Sequence, residues 1–302
     1  MDNLIDIADL TTDDVKDVFE RTDELRYNRK QYADRLANRT LLMLFEKPST
    51  RTRVSFEAGM TQLGGHAINF EMESSQMSRG ETLGDTAKVL SRYCDAVMAR
   101  LYEHRKMKEF RDHADIPVIN GLTDLLHPCQ ALGDLYTLKK EGLSFDELEM
   151  TYVGDGNNVC QSLLQVCGKL GVDMTVGSPE GYKPDEKIVG RARADADRKD
   201  ARIRVVDDPV EAVDGADAVY TDVWTSMGDE NREERREALQ PFQVNEELLE
   251  HAAGNVRVMH CLPAHRGEEV TSAVLDGGHS IVFDQAENRL HVQKAVLDLL
   301  IN

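Results

Sequence analysis

The 302-residue chain has no run of 18 or more apolar residues and no charged-then-apolar start. Neither a membrane span nor a secretory leader is expected from it. Cysteine is scarce: Cys94, Cys129, Cys160, Cys167 and Cys261 are odd in number and lack C-x-x-C spacing. That argues against a disulfide framework or a structural zinc site and for a reducing, cytoplasmic setting. Basic charge is also short, with 36 Lys and Arg against 55 Asp and Glu and a net charge of −19. Nucleic acid and anionic membranes are poor partners for such a surface. No histidine pair has H-x-x-x-H spacing and no carboxylates cluster, so no metal is expected. No G-x-G-x-x-G run occurs either, which speaks against a nucleotide-dependent dehydrogenase and leaves no cofactor to expect. Pro/Gly/Ser-rich linkers, low-complexity tracts and short repeats are lacking, and Trp224 is the single tryptophan, by default a core residue.

What is present is alternation. Short apolar runs predict strands at 40–46, 66–71, 95–101, 116–120, 149–154, 172–177, 202–207, 217–222, 256–261 and 280–284. Helices are expected at 51–63, 82–93, 103–113, 128–141, 157–169, 184–199 and 268–276. An opening helix is capped by Thr11 or Thr12, with Asp13 and Asp14 at its positive end. This pattern defines an α/β fold of two doubly wound parallel-sheet domains, read as two five-stranded halves. Their bounds are 1–140 and 141–284, with a final helix over 285–302 returning to the first domain. The acids are spread along the whole chain, and a carboxylate-rich surface that stays hydrated in concentrated salt is the expectation they carry.

Open α/β sheets bind ligands beyond the carboxyl ends of their strands. The first such end carries Ser49-Thr50-Arg51-Thr52-Arg53, two hydroxyl–guanidinium pairs at a strand-to-helix junction. Guanidinium forks, hydroxyls and helix-start N–H groups suit a doubly charged oxyanion. Later ends carry Arg100 and His104, then His127-Pro128-Cys129-Gln130, with proline suited to a first helical turn. The second half offers Gly154-Asp155-Gly156-Asn157-Asn158, Asp222-Val223-Trp224-Thr225-Ser226-Met227-Gly228 and His260-Cys261-Leu262-Pro263. Ala286-Glu287-Asn288-Arg289 closes the series. Taken singly, most have ordinary readings: a basic turn, a tight glycine turn, a buried and satisfied histidine.

Together, Ser-Thr-Arg-Thr-Arg, His-Pro-Cys-Gln, Asp-x-Trp-x-Ser-Met-Gly and His-Cys-Leu-Pro, in this order and spacing, closely resemble the ornithine carbamoyltransferases. The resemblance covers essentially the whole chain. The first two motifs are shared with the broader family that includes the aspartate enzymes, and the last two point to ornithine. The resemblance implies transfer of a carbamoyl group from carbamoyl phosphate to the δ-amine of L-ornithine. The products would be L-citrulline and phosphate, in arginine synthesis or, reversed, in arginine degradation. It implies small-molecule partners only, no cofactor, and a homotrimer or an assembly of trimers.

It also implies roles. Ser49, Thr50, Arg51, Thr52 and Gln76 would hold the phosphate, with Gln76 reaching it from a neighbouring subunit. Arg100 would span phosphate and carbonyl, and His127 and Gln130 of the His127-Pro128-Cys129-Gln130 motif would meet the carbamoyl group. Arg289 would return to the same site, and Arg53 would brace the turn. Asn158 would contact the ornithine α-carboxylate, with Asn157 left as an alternative. Met227 would assist through its backbone, while Asp222 and Ser226 would hold the α-amino group. Cys261 and Leu262 would lie near the δ-amine and the carbamoyl group. The catalytic set would be Arg51, Arg100, His127, Asp222 and Cys261, acting by alignment and charge stabilisation rather than through a carbamoyl-cysteine. Domain closure, carbamoyl phosphate binding first, and a lid at 225–240 complete the expectation.

Overall fold

A computed structural model describes residues 1–72, 80–225 and 231–302. Gln76, Ser226 and Met227 lie outside the described residues, as does part of the 225–240 segment. The chain divides into two compact units, one of Met1–Tyr136 with Asn288–Asn302, the other of Thr137–Glu287.

The first unit holds the parallel strands β1 (Thr40–Phe45), β2 (His66–Glu71), β3 (Ala96–Arg100) and β4 (Val118–Leu122), in the order β2-β1-β3-β4. Its helices are α1 (Thr12–Tyr27), α2 (Thr50–Gln62), α3 (Leu83–Leu90), α4 (His104–His113) and the start of α5 (Pro128–Lys140). Thr11 caps α1 in a reciprocal box with Asp14, satisfying two backbone donors at once. Leu41 to Phe45 are all buried, as expected of a strand covered on both faces. Leu42, Leu44, Val97, Ala99, Met107 and Phe110 form one core around them.

The second unit holds β5 (Glu149–Val153), β6 (Asp173–Gly177), β7 (Ile203–Val206), β8 (Ala218–Thr221) and β9 (Arg257–His260), all parallel, ordered β7-β6-β5-β8-β9. Around them are α6 (Asn158–Leu170), α7 (Glu186–Asp197), α8 (Pro209–Val213), α9 (Arg232–Leu239), α10 (Glu246–Leu249) and α11 (Ser272–Leu275). Helix α6 ends at Gly171, whose left-handed φ of 77° places its N–H on the Cys167 carbonyl. The last helix, α12 (Val282–Ile301), begins in the second unit and ends in the first. There Asp298, buried, takes Arg35 at 2.7 Å and Arg21 at 3.3 Å.

Both sheets are doubly wound, so each has a reversal in strand order: between β1 and β3, and between β5 and β8. Those are the two places where a ligand crevice is expected.

Three expectations change. Among the described residues the first sheet has four strands, not five; beside β4, Leu4 makes a single bridge to Ile119 and covers the edge. Residues 280–284 are not a strand: Ser280 bridges Val258, and Val282 already begins α12. A short apolar run such as Ile281-Val282-Phe283 fits either period, and here the helix period wins. The expected helix 268–276 shrinks to the single turn of α11, because Val270 is drawn into a bridge with Val244. Within 225–240, residues 232–239 form a regular helix.

Candidate active site

In the first unit, Ser49 leaves β1 and caps α2, its hydroxyl accepting from the Thr52 amide at 3.4 Å. The same hydroxyl donates to Thr52 Oγ1 at 3.1 Å, and Arg289 Nη2 donates to that oxygen at 3.2 Å. Thr52 is fully buried, whereas Thr50 and Arg51 are exposed on the first turn of α2. Arg53 faces outward beside Glu57 at 3.7 Å, one helical turn on. Arg100 ends β3 at an irregularity in its pairing with β4, and its carbonyl accepts from the Glu46 amide at 2.9 Å.

His127 is buried, and its carbonyl starts α5 by accepting from Gln130 and Ala131. Pro128 opens that helix. Cys129 turns into the sheet, where its thiol faces the Asn120 carbonyl at 3.5 Å and burial pushes its pKa up to about 12. Gln130 Nε2 donates to Asp134 at 2.7 Å, and its buried Oε1 has no partner among the described residues. Arg289 lies against α5: a Cβ on Gly133 would sit 3.4 Å from Arg289 Cγ. Burial, then the Arg289 and Arg100 guanidiniums, hold the His127 imidazole well below its ordinary pKa. The product is a cationic recess with a neutral imidazole in its wall.

That imidazole makes a pH prediction. An unfolded histidine takes its proton near pH 6.5, whereas folded His127 resists protonation until well below that. Its contribution to stability is therefore full above about pH 6.5 and is lost as pH falls through and below that value. Urea midpoints followed from pH 8 to pH 5 should decline on the acid side, and His127→Gln should flatten that decline.

In the second unit, Asn157 caps α6, its Oδ1 accepting from Val159 at 2.9 Å, Cys160 at 3.2 Å and the Tyr152 hydroxyl at 3.3 Å. Its Nδ2 donates to Asp222 Oδ2 at 2.8 Å, and Cys261 Sγ donates to Asp222 Oδ1 at 3.0 Å. Asp222 is thus held from both sides just past β8. Burial, then the nearby Asp222 carboxylate, keep the Tyr152 phenol well above its ordinary pKa, so it donates as a neutral group. Asn157 has both side-chain ends committed within the fold, while Asn158 is the half-buried first residue of α6.

His260 Nδ1 accepts from the Leu262 amide at 2.8 Å, which puts the ring proton on Nε2, 3.1 Å from Glu269 Oε1. Both side chains are fully buried. Glu269 also accepts from the His265 amide at 2.6 Å, and Gln285 accepts from the His260 amide at 2.9 Å. This network holds Leu262 in a left-handed conformation, φ 58°, ahead of a cis bond to Pro263. Such a backbone is uncommon for a branched side chain and persists where surroundings over-determine it.

Asp222, His260 and Cys261 offer ligand atoms within 4.8 Å of one another, as do His265, Glu268 and Glu269. In the first trio both imidazole nitrogens are already bonded; in the second, Arg236 forks onto Glu268. Tyr152 and Glu269 went unnoticed in the sequence, because no spacing rule links them to the residues they hold, and Asn157, kept there as an alternative substrate contact, is found bonded to Asp222.

The carbamoyl-P binding domain model of the aspartate/ornithine carbamoyltransferases matches residues 2–140, and the Asp/Orn binding domain model matches residues 146–300. The chain belongs to the aspartate/ornithine carbamoyltransferase family. Within it, the similar proteins are ornithine carbamoyltransferases. The catabolic one of Halobacterium salinarum is 51% identical over 304 residues, covering 100% of both chains. The anabolic one of Pyrococcus furiosus is 53% identical over 267 residues, 88% of this chain and 85% of that one. A solved structure of ornithine carbamoyltransferase from Pyrococcus furiosus superposes with a TM-score of 0.96 at 49% identity, covering 99% of this chain and 96% of that one.

Proposed function

We propose that the chain transfers the carbamoyl group between carbamoyl phosphate and the δ-amine of L-ornithine, in arginine metabolism. The observation that carries this reading is the chemistry of the two strand-order reversals. One holds hydroxyls, guanidiniums and a neutral imidazole; the other holds a carboxylate braced by an amide and a thiol. The first suits a phosphoanhydride-like dianion, the second an amino acid carrying ammonium groups.

Ser49, Thr50, Arg51 and Thr52 bind the phosphate through side chains and the start of α2, and Arg289 supports them through Thr52. Arg100, His127 and Gln130 address the carbamoyl oxygen, where negative charge grows as the amine attacks. Neutral His127 can donate a hydrogen bond there without adding its own positive charge to the guanidiniums of the recess. Asn158 receives the α-carboxylate, because Asn157 is spent on the helix cap and on Asp222. Asp222 and Cys261 orient the amine. The δ-nitrogen forms its bond to the carbonyl carbon, the carbon–oxygen bond to phosphate breaks, and the nitrogen gives up a proton. Leu262 presents its backbone beside Cys261. Gln76, Ser226 and Met227 keep the roles that the family resemblance implies.

The test is citrulline formation from carbamoyl phosphate with ornithine, beside parallel reactions with aspartate, putrescine and N-acetylornithine. Citrulline from ornithine alone supports the reading, and carbamoylation of another acceptor in its place overturns it. We further propose a cytoplasmic homotrimer, or an assembly of trimers, whose acidic surface is adapted to salt. Activity and stability are then expected to rise with KCl toward the multimolar range. Equal values at very low and at multimolar KCl would sink the adaptation.

A further inference from the structure

Arg235 lies in the first turns of α9, within the 225–240 segment but given no role of its own above. Its Nε donates to the main-chain carbonyl of Trp224, and its Nη2 to the carboxylate of Asp155. The guanidinium also sits over the Tyr182 ring, 5.1 Å from its centroid. These partners come from three separate places: the segment after β8, the turn after β5, and the loop after β6.

Two of those places form the acceptor site. Asp155 is mostly buried and stands two residues before Asn157; Trp224 is 3% exposed and stands two residues after Asp222. The turns also touch directly, since a Cβ on Gly154 would lie 3.4 Å from Trp224 Nε1. Asn157 and Asp222 then meet through their own hydrogen bond at 2.8 Å. Arg235 joins the far sides of the two segments that this bond joins at the near side.

We propose that Arg235 is a positioning residue for the acceptor: it clamps the Gly154–Asn157 turn to the Asp222–Trp224 segment and so fixes the Asn157–Asp222 pair. The proposal rests on the acceptor reading of that pair given above. A planar fork is needed, because one side chain must reach a carbonyl and a carboxylate while stacking on a ring. A lysine carries its donors at one point, so it lacks the plane that stacks on the ring and the spread that spans both partners. The neighbouring Arg236 shows the contrast. It pairs with Glu268, about half of its own side chain is exposed, and no hydrogen bond takes it to the two turns.

The experiment is steady-state kinetics of Arg235→Lys, Arg235→Met and Asp155→Asn, with Arg236→Met as control and the emission spectrum of Trp224, the only tryptophan, recorded for each. Losing the charge-assisted contacts is expected to raise KM for ornithine about tenfold in all three variants. KM for carbamoyl phosphate should stay within about twofold, because the recess in the first unit is untouched. Trp224 emission should shift to the red in these three and stay put in Arg236→Met. If Arg235→Met fails to fold, the lysine and Asp155→Asn variants carry the same test. An ornithine KM within about twofold of wild type in those variants overturns the proposal, as does a rise of both KM values together. Wild-type protein that forms no citrulline overturns instead the acceptor reading on which the proposal stands.

Discussion

Replacing Arg100 by methionine is expected to lower kcat by about 10²- to 10³-fold, the usual cost of removing one donor from a site of developing negative charge. Arg100 ends β3 at one side of the reversal in strand order, and β1 leads to Ser49 on the other. Methionine keeps the apolar stem that packs at the strand end and removes the guanidinium, so the loss reports charge rather than packing. KM for ornithine should stay within about twofold, since Asp222 and its partners belong to the other unit. A second consequence separates this reading from general damage. Arg100 is one of the two cations that hold the His127 imidazole down, so His127 should titrate closer to its ordinary value in the variant. Its acid-side loss of stability then becomes smaller, because the gap between the folded and unfolded histidine narrows. Unchanged kcat with a normal fold would remove Arg100 from the reaction.

Asp222→Ala is expected to reduce kcat/KM for ornithine by about 10³-fold while leaving carbamoyl phosphate binding near wild type. Asp222 accepts from the Asn157 amide on one oxygen and from the Cys261 thiol on the other. Alanine removes the anion that pairs with an ammonium group and strands both of those donors at once. Asp222→Asn keeps the shape and loses the charge, so it separates the two effects. If orientation dominates, asparagine recovers most of the loss; if charge dominates, it recovers little. Kinetics over a range of ornithine concentrations, with phosphate release as the readout, distinguish the outcomes. Parallel loss of affinity for both substrates would point to a collapsed second unit instead.

The inner strands were legible because their apolar runs are buried on two faces; the edge strands β2 and β7 are more exposed, and nine described strands fall where the runs predict. The tenth run failed for a physical reason: Ile281-Val282-Phe283 has no period of its own, and the following Gln285 and Asn288 serve a helix equally well. The charged stretch at 232–239 fell within the expected lid at 225–240; its described residues form a mostly exposed helix, which Arg235 and Arg236 tie to partners distant in sequence. The cationic motifs pointed to an anion site because arginine and hydroxyls gather at a strand end, and the folded chain brings Ser49, Thr52 and Arg289 together there. What sequence could not supply was the support. Asn157 and Asn158 differ by one position along a helix start, and only the folded chain shows that Asn157 is bonded to Asp222. Glu269 follows His260 by nine residues with no motif between them, and only the folded chain brings its carboxylate to the imidazole.

The division of the chain carries one more consequence. Residues 288–302 belong to the first unit, with Val292, Ala295, Val296 and Leu297 fully buried and Arg289 bonded to Thr52. On the ribosome those residues emerge after the whole of the second unit. Domains generally fold in the order in which they are made, but here the unit begun first is finished last. The contiguous Thr137–Glu287 segment has all its strands in hand while the nascent first unit still lacks a helix from its core and an arginine from its anion recess. A chain cut at residue 287 therefore keeps the whole of one unit and leaves the other without the end of its last helix and without Arg289.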